Sequence, residues 1–536
     1  MELRTRIDKT IRWIRQSPKA LPFRRHVSSS KEFNVIDSWL QEDSHLLRLP
    51  DELLLQIIIE ISPLDITRFS LSCKKLLALS SDYVREAREL YPEYSQMRCN
   101  VGFHYIDCYY TPRSDYRWPC SLFARQLILN PRIGRYVESL KIYDHTDHDF
   151  RLDVIKNHDV EYHAALLEVM EKVPYLNRKQ IQTWIERIEP RPLESWQWDL
   201  PTAVVLSLLS HLQHLQIISY RPSSPPIQLI TYLVQKIAFA KAGSNISQAW
   251  NKLSSVALFI PLTFELAASF AALPSVRCLT LQLGALRGQP FQGWSLDRPA
   301  NITELKIFRG SHNTDDVLAF LDNLPLLRSF FYQIKLVALD GLAYPDFSPN
   351  LLCQALVKNG KARLEKLYIG AQDRSPWDNG ILGRIDYIES LQDFQALKIL
   401  HLECSFIDSQ NFPGLPASLE SFELYGAVDG FCAWRNTIQV LEYDEEVLPN
   451  LRELVVWGDE VGKKMRDRCT KKRVVVIVPS TLASCWEDCT NSGEQAQKAC
   501  RKCKRSMNKG ALPRVRDSYP FGPWKNELRQ IPEYMM

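Results

Sequence analysis

The feature that most constrains the fold is a short apolar theme, L-x-x-L-x-L, that returns down most of the chain. It stands at Val137/Leu140/Ile142, Leu212/Leu215/Ile217, Leu253/Val256/Leu258, Val276/Leu279/Leu281 and Ile302/Leu305/Ile307. It returns at Leu327/Phe330/Tyr332, Leu364/Leu367/Ile369, Leu397/Leu400/Leu402, Leu419/Phe422/Leu424 and Leu451/Leu454/Val456. From Val256 onward the middle positions are spaced by 23, 26, 25, 37, 33, 22 and 32 residues. Alternating apolar residues predict a strand with one buried face. Stretches between them, such as TDDVLAFLDNLPLL and IDYIESLQDFQAL, have helical spacing and are expected to pack behind the strands. No strand–helix unit of this size buries its apolar face alone, so the expectation is a stacked α/β solenoid, parallel strands inside and helices outside.

The spacing overlaps that of leucine-rich repeats, and residues 251–480 are expected to be such a body. The place of the usual Asn ladder is taken by Gly284, Gly310, Lys335, Gln372, Ser405, Ala427 and Asp459, so the repeats are degenerate. Residues 91–250 are expected to be a helix-rich connector with the first degenerate repeats. The residues between the buried ones face the concave side of such a body. These are Phe308, Phe331, Tyr368, His401, Glu403, Glu423, Tyr425, Val455 and Trp457. Five aromatics on one face make a candidate surface for a protein target.

Residues 46–77 read LLRLPDELLLQIIIEISPLDITRFSLSCKKLL. Pro50 suits a first helical turn. Leu53, Leu54, Ile57, Ile58 and Ile61 form an apolar stripe that ends at Ser62-Pro63. Leu64, Ile66, Phe69, Leu71, Leu76 and Leu77 continue it through two further short helices, with Asp65 at a helix start. So small a bundle has more apolar surface than it can bury, which implies a partner or a neighbouring domain. Leu49-Pro50, Glu52-Leu53, Ile57, Pro63-Leu64-Asp65-Ile66, Ser70, Cys73-Lys74 and Leu77 resemble the F-box pattern in order. The chain departs from it at Lys75-Leu76-Leu77, where many F-boxes carry Trp or Arg. The resemblance implies an F-box at 46–90 that docks the S-phase-kinase-associated adaptor and, through it, a cullin scaffold. It makes Leu49, Pro50, Leu53, Ile57, Asp65 and Leu71 the adaptor-contact candidates. The repeat body behind it resembles, in pattern, those of fungal-type F-box proteins.

The net charge of +4 conceals an asymmetry. Residues 1–27 carry eight Lys or Arg against two acids, and 463–516 carry fifteen against four, which leaves −12 on 28–462. A nucleic-acid binder more naturally places its basic excess on the folded domain, so binding through the basic tail is the minor alternative. Leu3, Ile7, Ile11 and Ile14 among arginines predict a short basic amphipathic helix within 1–45, open to packing, targeting or surface roles. No apolar run of about 18 residues indicates a membrane span. Thirteen scattered cysteines without a secretory signal suggest free thiols in the cytoplasm or nucleus, where the sequons at Asn245 and Asn301 carry no meaning.

Chemistry-bearing patterns are few. Cys485, Cys489, Cys500 and Cys503 form C-x3-C-x10-C-x2-C in the basic tail 481–536, a spacing compatible with zinc in a segment otherwise expected to be disordered. His145, His148, His158 and His163 lie among Asp144, Asp147, Asp149 and Asp153 in what reads as a polar loop. No phosphate loop, nucleophile elbow or H-E-x-x-H motif occurs. The expectation is a non-catalytic subunit without a cofactor: the substrate receptor of an SCF-type ubiquitin ligase, or else an adaptor-bound scaffold that marks nothing for turnover.

Overall fold

The computed structural model describes residues 46–61, 63–100, 118–144, 199–219, 228–238, 250–260, 264–282, 300–310, 314–334, 347–358, 363–371, 386–403, 406–408, 413–425, 448–456 and 475–477. The basic N-terminal segment, the histidines at 145–163, Trp457 and the four tail cysteines lie outside them. The fold is mixed α/β, with a helical bundle at its start and parallel sheet thereafter. Two units divide the chain, Met1–Ile218 with Ile227–Ser254, and Ser219–Pro226 with Ser255–Met536.

In the first unit, α1 (Asp51–Glu60), α2 (Pro63–Ser70) and α3 (Lys74–Tyr94) are followed by β1 (Gln96–Asn100) and β2 (Trp118–Pro119). Then come α4 (Cys120–Leu129), a 3-10 turn (Pro131–Arg135), β3 (Ser139–Asp144), α5 (Asp199–Leu208), β4 (His214–Ser219) and α6 (Gln228–Ala238). The strand order is β4-β3-β1-β2. Strand β1 pairs in parallel with β3, aligning Met97 with Leu140 and Cys99 with Ile142. Tyr94, Met97 and Cys99, all buried, therefore form an apolar triplet of the same spacing, hidden in the sequence because none of the three is aliphatic. Trp250 has a positive φ of 55°, a strained conformation for a bulky residue. Its buried indole N–H donates to the Leu206 carbonyl (2.8 Å) at the end of α5, which also takes the Leu209 N–H at 3.4 Å.

The second unit places β5 (Ser255–Phe259), β6 (Cys278–Gln282), β7 (Glu304–Gly310), β8 (Ser329–Ile334), β9 (Lys366–Ala371), β10 (Ile399–Glu403), β11 (Ser421–Tyr425), β12 (Glu453–Val456) and β13 (Val475–Ile477) side by side in chain order. Every neighbouring pair is parallel. The apolar triplets come into register. Val256, Leu279, Leu305, Phe330, Leu367, Leu400, Phe422 and Leu454 align across the sheet, none more than 1% exposed. At ~1.5–3 kcal/mol for each such side chain taken from water, this row is the main cohesive element of the unit.

A main-chain device repeats at the entrances of β7 to β12. The carbonyls of Arg277, Thr303, Arg328, Glu365, Lys398 and Glu420 each accept two N–H groups from the next strand entrance, at 2.7 to 3.1 Å. Helices α7 (Phe264–Ala271), α8 (Thr314–Leu321) and α9 (Pro349–Lys358) fill three of the connections. Phe264 of α7 meets Phe320 of α8 at 5.4 Å between ring centroids, and Phe347, just before α9, stacks on Tyr332 at 5.2 Å. The helical layer thus lies on the leucine face.

One expected helix is absent. TDDVLAFLDNLPLL holds α8, but the described part of IDYIESLQDFQAL, residues 386–397, is turns and extended chain. Its apolar residues Ile388, Leu391, Phe394 and Leu397 are buried nonetheless. Their threefold spacing suits a helix and a run of stacked turns equally. Here the backbone donors go outward: Ile388 N–H to Phe406 O (2.9 Å) and Leu391 N–H to Gly414 O (2.8 Å).

Candidate functional site

The N-terminal bundle exposes three large apolar side chains, Ile59, Leu71 and Leu77. Helix α1 begins after Pro50 with Asp51 and Glu52 in its first turn, which suits the helix dipole. Lys75 of α3 reaches back to Asp51 (2.9 Å) and to the Leu47 carbonyl (3.3 Å), tying the start of the bundle to its third helix. The N-terminus of α3 is capped by a thiol, with Cys73 Sγ accepting from the Leu76 N–H at 3.3 Å. Between the helices the buried Ser70 hydroxyl donates to the Ile66 carbonyl, and the Ser80 hydroxyl has its one proton within reach of both Ser70 Oγ and the Leu76 carbonyl. Small polar residues thus join α2 to α3 without leaving orphaned donors.

Leu54, Ile57, Ile58, Ile66, Leu76 and Val84 form the bundle core. Ile57 is 1% exposed, so it is a core residue rather than part of the surface. Pro50, Asp65 and Leu71 are exposed, Leu71 at 62%, while Leu49 and Leu53 are half-buried. Two further apolar residues of the bundle are exposed, Leu77 at 43% and Ile59 at 37%. Helical periodicity could have found both. The buried positions of α3 run Leu76, Ser80, Val84 and Ala87, and Leu77 falls off that stripe. A surface of Pro50, Leu71 and Leu77 has no role in holding three helices together.

Comparison with known families assigns this bundle: the F-box domain matches residues 46–85. Residues 46–85 are an F-box. No curated protein matches the chain. F-box domains generally bind adaptors of the S-phase-kinase-associated type, and proteins that carry them are typically non-catalytic substrate receptors of ubiquitin ligases. Among the described residues, no helix is long and apolar enough to cross a membrane and no cluster of His, Cys, Asp or Glu could hold a metal ion.

The F-box is joined to the first strands with almost no intervening chain. Helix α3 runs nine residues past the match, to Tyr94, and β1 starts at Gln96. The single residue between them, Ser95, offers its carbonyl to the N–H groups of Glu138 (3.2 Å) and Ser139 (2.9 Å) at the entrance of β3. Side chains from the 3-10 turn and its exit reach back to the bundle. Tyr136 donates to Glu86 Oε1 (3.0 Å), Arg132 pairs with Glu86 Oε2 (3.6 Å), and Tyr91 donates to Glu138 Oε2 (2.9 Å). Arg135 donates to the carbonyl of Ile59, in the last turn of α1. Burial, then the bond to Glu138, pushes the Tyr91 hydroxyl up to about 12, and burial and Glu86 raise Tyr136 likewise. None of these residues is periodic, and each partner lies 46 to 76 residues away, so no local pattern announced them.

The row expected to face a target is a single face of the second unit's strands. Lys306, Phe331, Tyr368, His401, Glu423 and Val455 align in register across β7 to β12. Phe331 and Tyr368 stack nearly parallel (3.9 Å, 8°), Phe308 meets Phe331 at 4.6 Å, and His401 Nδ1 lies 2.8 Å from Glu423 Oε2. These side chains are not an open surface. Phe308, Phe331, Tyr368, His401, Glu403 and Glu423 are all at most 5% exposed, and Val455 is half-buried. The backbone of Tyr425 pairs with Glu403. The described thiols Cys73, Cys99, Cys120 and Cys353 are free of disulfides. Burial pushes the Cys353 thiol up to about 12, and a hydrogen bond with Cys120, then burial, raises Cys99, which disfavours the reactive thiolate at both.

Proposed function

We propose that this chain is the substrate-recognition subunit of an SCF-type cullin–RING ubiquitin ligase, acting in the cytoplasm or nucleus. Its F-box docks the S-phase-kinase-associated adaptor, and a leucine-rich-repeat-like solenoid holds the target protein. The observation that carries the docking half is the F-box itself, with Pro50, Leu71 and Leu77 exposed beside a core that does not need them. The body is supported by strands that follow one another in chain order with their apolar triplets in register. Catalysis belongs to the assembled ligase, and the contribution of this chain is to turn a bimolecular transfer into an effectively intramolecular one. Because Phe331 and Tyr368 are buried, we do not assign target binding to their row.

The test is co-purification of the full chain with the recombinant adaptor, comparing wild type with Leu71→Asp and with Leu49→Ala/Pro50→Ala. Binding that is lost in variants of unchanged thermal stability supports docking. Failure of folded wild type to bind rules it out. Adaptor-dependent turnover of a captured partner then separates a substrate receptor from an adaptor-bound scaffold.

A further inference from the structure

We propose that Glu86, Tyr91, Tyr136 and Glu138 are positioning residues that lock the F-box to the first parallel strands, so that docking of the F-box sets the orientation of the sheet behind it. The inference rests on the adaptor-docking reading above, and it adds a mechanical role for a junction that no part of that reading requires.

The argument begins with the chain path. A flexible tether between two modules lets the second sample many orientations, and the effective concentration of anything it carries falls accordingly. Here the tether is one residue, Ser95, flanked by helix and strand, with its carbonyl used twice by the entrance of β3. One residue still leaves a hinge of two soft dihedrals. The side-chain bonds close that hinge from two directions. Tyr91, in the last turn of α3, holds Glu138, whose own carbonyl accepts the Gln213 and His214 N–H groups at the next strand entrance (2.8 and 3.0 Å). One turn and a half earlier, Glu86 holds Tyr136, itself 4% exposed. Arg135 reaches a different helix, α1, at a carbonyl that its last turn leaves available. Three bonds to two helices fix a rotation that one bond would leave free. The ion pair of Arg132 with Glu86 is mostly exposed on the arginine side and adds little to this.

Glu138 is also the weak point. Its Oε2 accepts from Tyr91, while its Oε1 is buried with no hydrogen-bond partner. A buried carboxylate kept at half its capacity is poor for stability alone. Its position is explained if what it provides is a fixed contact between α3 and β3.

The experiment is hydrogen-exchange mass spectrometry on the full chain, with and without the recombinant adaptor, for wild type, Tyr91→Phe/Tyr136→Phe and Glu86→Gln. In wild type the adaptor should slow exchange within 46–94 and also across 96–100 and 131–144. The double Tyr→Phe variant keeps both rings and so keeps the fold. It should bind the adaptor as wild type does, yet exchange roughly tenfold faster at 131–144 in the complex, for two lost hydrogen bonds. Glu86→Gln still offers an oxygen to Tyr136 and should behave as wild type. No adaptor binding by wild type overturns the function proposed above. Binding with protection confined to 46–94, or with spread unchanged in the double variant, overturns the locking role alone. Loss of adaptor affinity in the double variant also overturns it, by making the junction part of the docking surface.

Discussion

Two single residues show how much the local chemistry depends on distant backbone. Gly134 lies in the 3-10 turn against the end of α5, where an added Cβ would stand 2.6 Å from the Leu208 carbonyl oxygen. That oxygen belongs to backbone and cannot swing aside. Gly134→Ala is therefore expected to cost ~1–3 kcal/mol, read as a fall in Tm; an unchanged Tm would mean that α5 yields freely. Tyr332 presents the opposite case. It replaces an aliphatic residue in the second buried row, and its hydroxyl is buried with no partner. Burial alone raises its pKa. Tyr332→Phe removes an unsatisfied polar group while keeping the stack on Phe347, so stability should hold or rise by up to about 1–3 kcal/mol. A clear drop on thermal unfolding would contradict that.

At the scale of elements, the F-box helices separate core from surface in a way that mutants can read. Ile57→Ala should lower stability by about 2–5 kcal/mol through cavity formation. Leu71→Asp should leave Tm unchanged and abolish adaptor capture. If Leu71→Asp unfolds the bundle instead, the exposed position assigned to it is wrong. The junction of α3 with β3 has a pH signature. The Tyr91 hydroxyl, ordinarily at 10, is held at about 12 by the fold. A pKa raised on folding favours the folded state fully below the unfolded value, and that advantage is lost as pH climbs from about 10 towards 12. Tm measured between about pH 8 and 11.5 should fall, and fall less steeply in Tyr91→Phe. Equal slopes would sever Tyr91 from alkaline unfolding.

For the whole molecule, the repeating unit sets how damage spreads. Leu400 sits mid-row among the second unit's strands, between Leu367 and Phe422, fully buried. Leu400→Ala should cost about 2–5 kcal/mol, with hydrogen exchange rising in β9 and β11 before β5, since each strand leans chiefly on its neighbours. Uniform loss of protection from β5 to β12 would show the unit to be a single cooperative block. Period-two alternation and helical spacing are local consequences of backbone geometry, so the apolar triplets from Val137 to Leu424 and the three F-box helices were legible in the residues alone. Leu71 and Leu77, read as part of the same apolar stripe, are instead exposed. The sequence could not separate a helix from stacked turns at residues 386–397, nor reveal the triplet at Tyr94, Met97 and Cys99, because side-chain type carries no record of where a backbone donor finds its acceptor. That the aromatic row is buried, that main-chain carbonyls join the strand entrances, and that Glu86, Tyr91, Tyr136 and Glu138 meet follows from tertiary packing. Those contacts join residues far apart in the chain, and what selects them is the packing of whole elements rather than any preference encoded within one of them.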